Sequence, residues 1–143
     1  MKFVLQFFYL VLQFTWGVVQ NVLGFFLFLK NIRCKHAYYH GAILTYHEGD
    51  WGGVSLGAFI FVNGKRGDDW AKGAIVHEYG HTIQSLILGP LYLFVVGIPS
   101  FVWCNNKKCI AYRKDKNKSY YDLYCESWAN SLGQAVTHEE APK

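Results

Sequence analysis

The sequence predicts an α+β fold with a membrane-associated N-terminal helix, and three observations carry the prediction. Residues 3–29 form a run of 27 residues without a charge. Two β-prone runs, 42–46 and 55–63, flank the turn-forming Gly49-Asp50-Trp51-Gly52-Gly53. Two later segments, one ending near Leu88 and one over 119–136, repeat apolar residues at helical spacing. At 143 residues the chain holds one domain, divided into an anchor helix (1–30) and a folded portion (31–143).

Hydrophobic residues make up 52 % of the chain, aromatic residues 18 % and charged residues only 17 %, a balance that leans towards a membrane. A mean hydropathy of +0.07 still leaves a sizeable part facing water. The net charge of +4 is clustered and bears on orientation rather than on nucleic acid, which is not an expected partner. The four cysteines contain no C-x-x-C pair and are expected as free thiols.

As one helix, residues 3–29 would extend about 40 Å, against roughly 30 Å for a hydrocarbon core. Gln6, Gln13, Gly17, Gln20 and Gly24 fall along one stripe. Such a stripe packs a membrane helix on a partner, with amides bonding across the contact and glycines allowing close approach. A surface amphipathic helix would carry Lys or Arg on its polar face, and a cleaved signal would be shorter. The segment is expected as a retained anchor. The two β-prone runs are then expected to pair as a hairpin about the glycine-rich turn, with an exposed strand edge able to hold an extended peptide.

Asn63-Gly64 and Arg66-Gly67 mark the next loop, and Asp68 or Asp69 can cap the helix that follows. That helix carries His77-Glu78-Tyr79-Gly80-His81, an H-E-x-x-H sequence. Residues four apart lie on one helical face, so both imidazoles reach one metal ion. Glu78, a third of a turn away, lies beside the ion without displacing a ligand. Ala74, Ile75, Val76, Thr82, Ile83, Leu86 and Ile87 make the helix mostly buried, where three adjacent ionisable groups are costly without a metal or partners.

Residues 86–103 are a second uncharged run, broken by Gly89-Pro90 and Gly97-Ile98-Pro99. The metal helix is expected to end near Leu88, and 90–101 to form an apolar loop or short hairpin that dips into the membrane or packs on the first helix. Lys30, Arg33 and Lys35 follow the first run; Lys107, Lys108, Arg113, Lys114, Lys116 and Lys118 follow the second, in a solvated loop. The positive-inside tendency puts both clusters on the cytoplasmic side.

A catalytic zinc takes three protein ligands and one open position. The downstream candidates are Asp115, Asp122, Cys125, Glu126, His138, Glu139 and Glu140. Segment 119–136 reads as a helix whose apolar face is Tyr121, Tyr124, Cys125, Trp128, Leu132 and Val136, with Asp122, Glu126, Asn130 and Gly133 on the neighbouring stripe. Glu126, central on that helix, is the chosen ligand, and Asn130 one turn later can hydrogen-bond a ligand histidine. His36, His40 and His47 share no ligand spacing and read as structural.

His77-Glu78-x-x-His81 followed by Glu126-x-x-x-Asn130 resembles the gluzincin metallopeptidases. Residues 55–133 are also similar to a small group of bacterial membrane zincin-like proteins, chiefly through 77–100 and 120–133. The resemblance implies zinc held by His77, His81 and Glu126, with Glu78 as general base and later acid, a peptide substrate, and a place in the bacterial inner membrane with the site on its cytoplasmic side. Asn130 departs from the pattern, where an acidic residue usually stands. Tyr120, Tyr121, Tyr124 and His138 remain open as donors to an oxyanion. The alternatives are a catalytically inactive zinc-binding membrane adaptor and a zinc hydrolase acting on something other than a peptide.

Overall fold

A computed structural model describes residues 2–142 and is α+β, with six α-helices and one four-stranded mixed sheet. Two helices, α1 (Lys2–Thr15) and α2 (Val18–Lys30), stand where one anchor helix is expected, bent by 96° at Trp16-Gly17. The cause is an amide acting as a surrogate backbone. The Gly17 amide reaches back to the Leu12 carbonyl at 3.2 Å, which leaves the Gln13 carbonyl without its helical donor. Asn21 Nδ2 donates to that carbonyl at 2.7 Å and to the Gly17 carbonyl at 2.9 Å. Leaving a buried carbonyl unpaired would cost about 1–3 kcal/mol, so Asn21 makes the bend affordable. Among the described residues no single helix is long and apolar enough to cross a membrane.

The polar stripe on these helices is an interface with the rest of the molecule. Gln13, Gln20 and Asn21 are fully or almost fully buried. Gln13 Nε2 donates to the Thr82 carbonyl at 3.0 Å, and Gln20 Nε2 to Ser85 Oγ at 2.8 Å and the Gly89 carbonyl at 2.9 Å. Asn21 Oδ1 accepts from the Ala58 amide at 2.9 Å. A Cβ at Gly24 would run into Leu56 and Phe59, so the glycine lets α2 lie against the sheet.

The sheet runs β1-β2-β4-β3, from β1 (Lys35–Tyr39), β2 (Ala42–His47), β3 (Gly53–Leu56) and β4 (Phe59–Asn63). This corrects the expected hairpin in three ways. First, β1 is an additional strand, joined to β2 by His40-Gly41, both at positive φ as a mirror-image two-residue turn requires. Second, the run 55–63 folds back on itself at Gly57 (φ +64), so β3 and β4 are antiparallel neighbours. Third, β2 and β4 pair in parallel, Ile43 beside Phe59 and His47 beside Asn63, which leaves β3 as an edge. Ile60 and Val62 pack with Ile75 and Tyr79 on one face. Phe59 points to the other, against Phe25 and Phe28, and Phe61 lies beside Trp51.

Helix α3 (Asp68–Leu88) is capped by the Gly67 backbone at φ +88, not by an aspartate side chain; Asp68 and Asp69 sit in the first turn, where their charge favours the helix dipole. It ends where expected, at Gly89 with φ +53, where a Cβ would overlap Trp16. The chain then continues as a 3₁₀ turn (Gly89–Leu91), a π turn (Leu93–Gly97) and α4 (Ile98–Asn105), bent by 118° from α3. The expected loop is therefore helical: Pro90 and Pro99 each stand in a first turn, where no amide donor is needed. The basic stretch is also helical, as α5 (Lys107–Asp115) capped by Asn106. The last segment divides into a 3₁₀ turn (Tyr120–Asp122) and α6 (Tyr124–Thr137), broken at extended Leu123.

Candidate metal centre

The face of α6 that packs on α3 is the stripe of small and polar residues, Glu126, Ala129 and Gly133; of the expected apolar face, Cys125 and Trp128 pack with Tyr92 and Val96, while Tyr124 and Val136 are exposed. Backbone contact dictates this. A Cβ at Gly80 would overlap the Ala129 carbonyl, and one at Gly133 would overlap the Val76 carbonyl. Only small residues let the two helices approach so closely, and the approach carries Glu126 to the motif histidines.

His77 Nε2 lies 3.0 Å and His81 Nε2 3.3 Å from Glu126 Oε2, and all three residues are buried. The outer nitrogens are already occupied. His77 Nδ1 meets Asn130 Oδ1 at 2.6 Å, and His81 Nδ1 meets Gln84 Oε1 at 2.7 Å. Amide oxygens only accept, so each Nδ1 carries a proton and each Nε2 faces Glu126. Two imidazole nitrogens and a carboxylate oxygen thus converge on one point, where the carboxylate calls for a cation, either protons on the two nitrogens or a metal ion in their place. This buried His-His-Glu group could hold a metal ion. Burial alone would raise the Glu126 carboxyl, but hydrogen bonds and charge from His77 and His81 outweigh it and hold the group well below the ordinary range.

Both supporting amides are anchored by their other end. Asn130 Nδ2 donates to the Pro142 carbonyl at 2.8 Å, and Gln84 Nε2 to the Cys125 carbonyl at 2.8 Å. An aspartate at 130 could accept from His77 but would set its second oxygen against the Pro142 carbonyl. Gln84 is the support that sequence reasoning missed; its signal was its place three residues after His81 on the same face.

Glu78 lies beside the triad, against Gly53 of β3, where any Cβ would strike its carboxylate. Burial pushes Glu78 up to about 8, opposed by His77 and aided by the negative charge of Glu126. Glu78 and His81 floor a cleft of about 670 Å³ between β3, along its whole length, and the 3₁₀–π–α4 segment. His47 shapes the near rim. It accepts from the Gly49 amide at Nδ1 and donates from Nε2 to the Gly52 carbonyl, with its ring stacked on Trp51 at 3.4 Å. Burial lowers its pKa, in keeping with this neutral structural role.

Of the four open donors, Tyr120 lines the cleft with its hydroxyl 3.1 Å from Ser100 Oγ, and Tyr121 stands beside the His77 ring. Tyr124 turns away to the Val95 carbonyl, and His138 caps α6 in the left-handed conformation. His36 bonds to Thr45 and to the Ile32 carbonyl, and His40 forms the β1–β2 turn; neither approaches the triad. Comparison of the chain with protein-family models, curated proteins and solved structures finds no match.

Proposed function

We propose that this protein is a membrane-associated zinc metallopeptidase that works on the cytoplasmic side of a bacterial inner membrane. The observation that carries the reading is the convergence of His77, His81 and Glu126 just behind the floor of a cleft, a floor that His81 and Glu78 form. The resemblance to gluzincins rests on the same four residues and supports it. Two nitrogens and one carboxylate oxygen with an open side suit zinc, which when bound lowers the pKa of a water towards about 7 and polarises a carbonyl.

The chain's own residues do the rest. Glu78 accepts the proton of the attacking water at a carboxylate oxygen and passes it to the leaving amine nitrogen. Asn130 and Gln84 keep the Nδ1 protons of His77 and His81 in place, so both Nε2 lone pairs stay free. Tyr120, whose phenol is pushed up by burial, keeps its proton and donates a hydrogen bond to the substrate's oxyanion. The outer strand β3 pairs with an extended substrate backbone, which displaces Tyr92 Oη from the Ser55 carbonyl.

Membrane association is supported by what the helices turn outward. Leu5, Phe8, Phe26, Leu91, Phe94 and Phe101 are each about 60–70 % exposed, on α1, α2 and the 3₁₀–π–α4 segment. The α1–α2 bend and the 3₁₀–π–α4 segment meet where Trp16 packs on Gly89, and the basic α5 follows α4 in the chain. A broad apolar surface with a basic helix next in sequence suits insertion into one leaflet of an anionic bilayer.

Elemental analysis of the detergent-purified protein tests the reading. About one zinc per chain is expected in the wild type and in Glu78→Gln, and a sharp loss in His81→Ala and Glu126→Ala. Peptide hydrolysis should fall on the order of 10²–10⁴-fold in Glu78→Gln. Zinc retained without any peptide cleavage by the wild type would favour the non-peptide hydrolase or the inactive adaptor.

A further inference from the structure

The cleft has walls whose chemistry selects what enters. Apart from the site residues Glu78 and His81, its lining contains no aspartate, glutamate, lysine or arginine among the described residues. A charged substrate side chain held there would lose its hydration and gain no partner, whereas apolar side chains lose nothing. β3, four residues long, spans roughly 13 Å at strand spacing, room for about four residues of an extended peptide. Val54 and Leu56 form part of one wall, and Leu93 and Val96 part of the other.

The mouth carries the second observation. Phe94, Ile98 and Phe101 line the cleft and are also 68 %, 54 % and 69 % exposed, so the cleft wall runs without interruption into the outer apolar surface. On the reading above, that surface lies in lipid. A segment leaving the bilayer reaches the cleft across these three side chains without meeting a charge.

Resting on the peptidase reading, we propose that the substrate is an unfolded apolar stretch of a membrane polypeptide, drawn extended along β3 from the lipid side. The main chain of β3, an outer strand on which Tyr92 Oη holds the Ser55 carbonyl at 3.4 Å, favours a peptide over a lipid acyl chain, which has no main chain to pair.

Equilibrium binding to the zinc-loaded Glu78→Gln protein in neutral micelles tests this. The probes are two fluorescein-labelled ten-residue peptides with identical polar ends. One has a Val/Leu/Phe centre, and the other has Asp, Lys and Ser at the same positions. The apolar peptide should bind at least tenfold more tightly. The ratio should shrink below threefold in Phe94→Ser/Phe101→Ser, whose zinc content and far-ultraviolet dichroism should match the parent. Ile98→Ser gives the same readout if the double variant does not fold. Equal affinity for the two peptides overturns the proposal. So does selectivity that survives the mouth variants, since it then comes from the micelle, and so does displacement of the bound apolar peptide by a fatty-acyl amide that carries no peptide. Selective binding without cleavage by the wild type would instead sink the peptidase reading and leave the ligand class standing.

Discussion

At the scale of single residues the site depends on groups that can be told apart by titration. In the unfolded chain Glu78 ionises near its ordinary 4.5, whereas in the metal-free folded protein burial keeps its proton to about 8. Between those values the folded state holds the extra proton, so stability falls as pH rises, by at most about 1.4 kcal/mol per pH unit. Glu78→Gln removes that titration. Chelator-treated Glu78→Gln should therefore gain in Tm over the wild type from pH 5 to pH 8, with the two converging below about 4.5. A Tm difference that stays flat across that range would count against a buried, protonated Glu78. Asn130 illustrates a related point: it departs from the acidic residue that the family resemblance leads one to expect, and its amide joins His77 to the Pro142 carbonyl, which a carboxylate could not do.

At the scale of elements the crossing of α3 and α6 sets the triad. Gly80→Ala would gain about 1 kcal/mol in helix propensity, but its Cβ overlaps a backbone carbonyl that cannot swing aside. Overpacking of this kind costs about 1–3 kcal/mol and pushes Glu126 away from the histidines. Zinc affinity should fall at least tenfold, read by competition with a chromophoric chelator; unchanged affinity would mean the crossing does not position the ligands. This element pair also shows what the sequence made legible. Four-residue spacing on a helix exposed His77 and His81, and the helix end at Gly89 carried its own signal. The face of α6 did not, because bulky apolar residues mark burial by area, whereas here burial follows from close backbone approach. The turn at Gly57-Ala58 was hidden inside an unbroken β-prone run, and β1 behind its lysine and histidine. The bend at Gly17 was hidden because a side chain, Asn21, replaces a backbone donor there.

At the scale of the molecule the proposed membrane contact rests on the outward apolar surface more than on the charges. The apolar faces of α1, α2 and α4 should carry the protein onto neutral phosphatidylcholine vesicles in a flotation assay. Anionic lipid should tighten that binding through α5, by up to about 1 kcal/mol per basic residue near the surface, and about 0.5 M salt should abolish the added part alone. Binding only to anionic vesicles, or loss of all binding in salt, would mean that the charges and not the apolar faces hold the protein there.

The amide seam of the N-terminal helices has a consequence in time. Gln13, Gln20 and Asn21 leave the ribosome before their partners Ala58, Thr82, Ser85 and Gly89. Until those residues are made, the buried amides of α1 and α2 have no polar surface to close on. Closure of this seam therefore waits on later synthesis: α3 supplies two of the four partners, and α6, made after it, completes the packing around α3. Chains stalled before Gly89 should remain protease-sensitive at the Trp16-Gly17 bend, and chains released past α6 should be protected there.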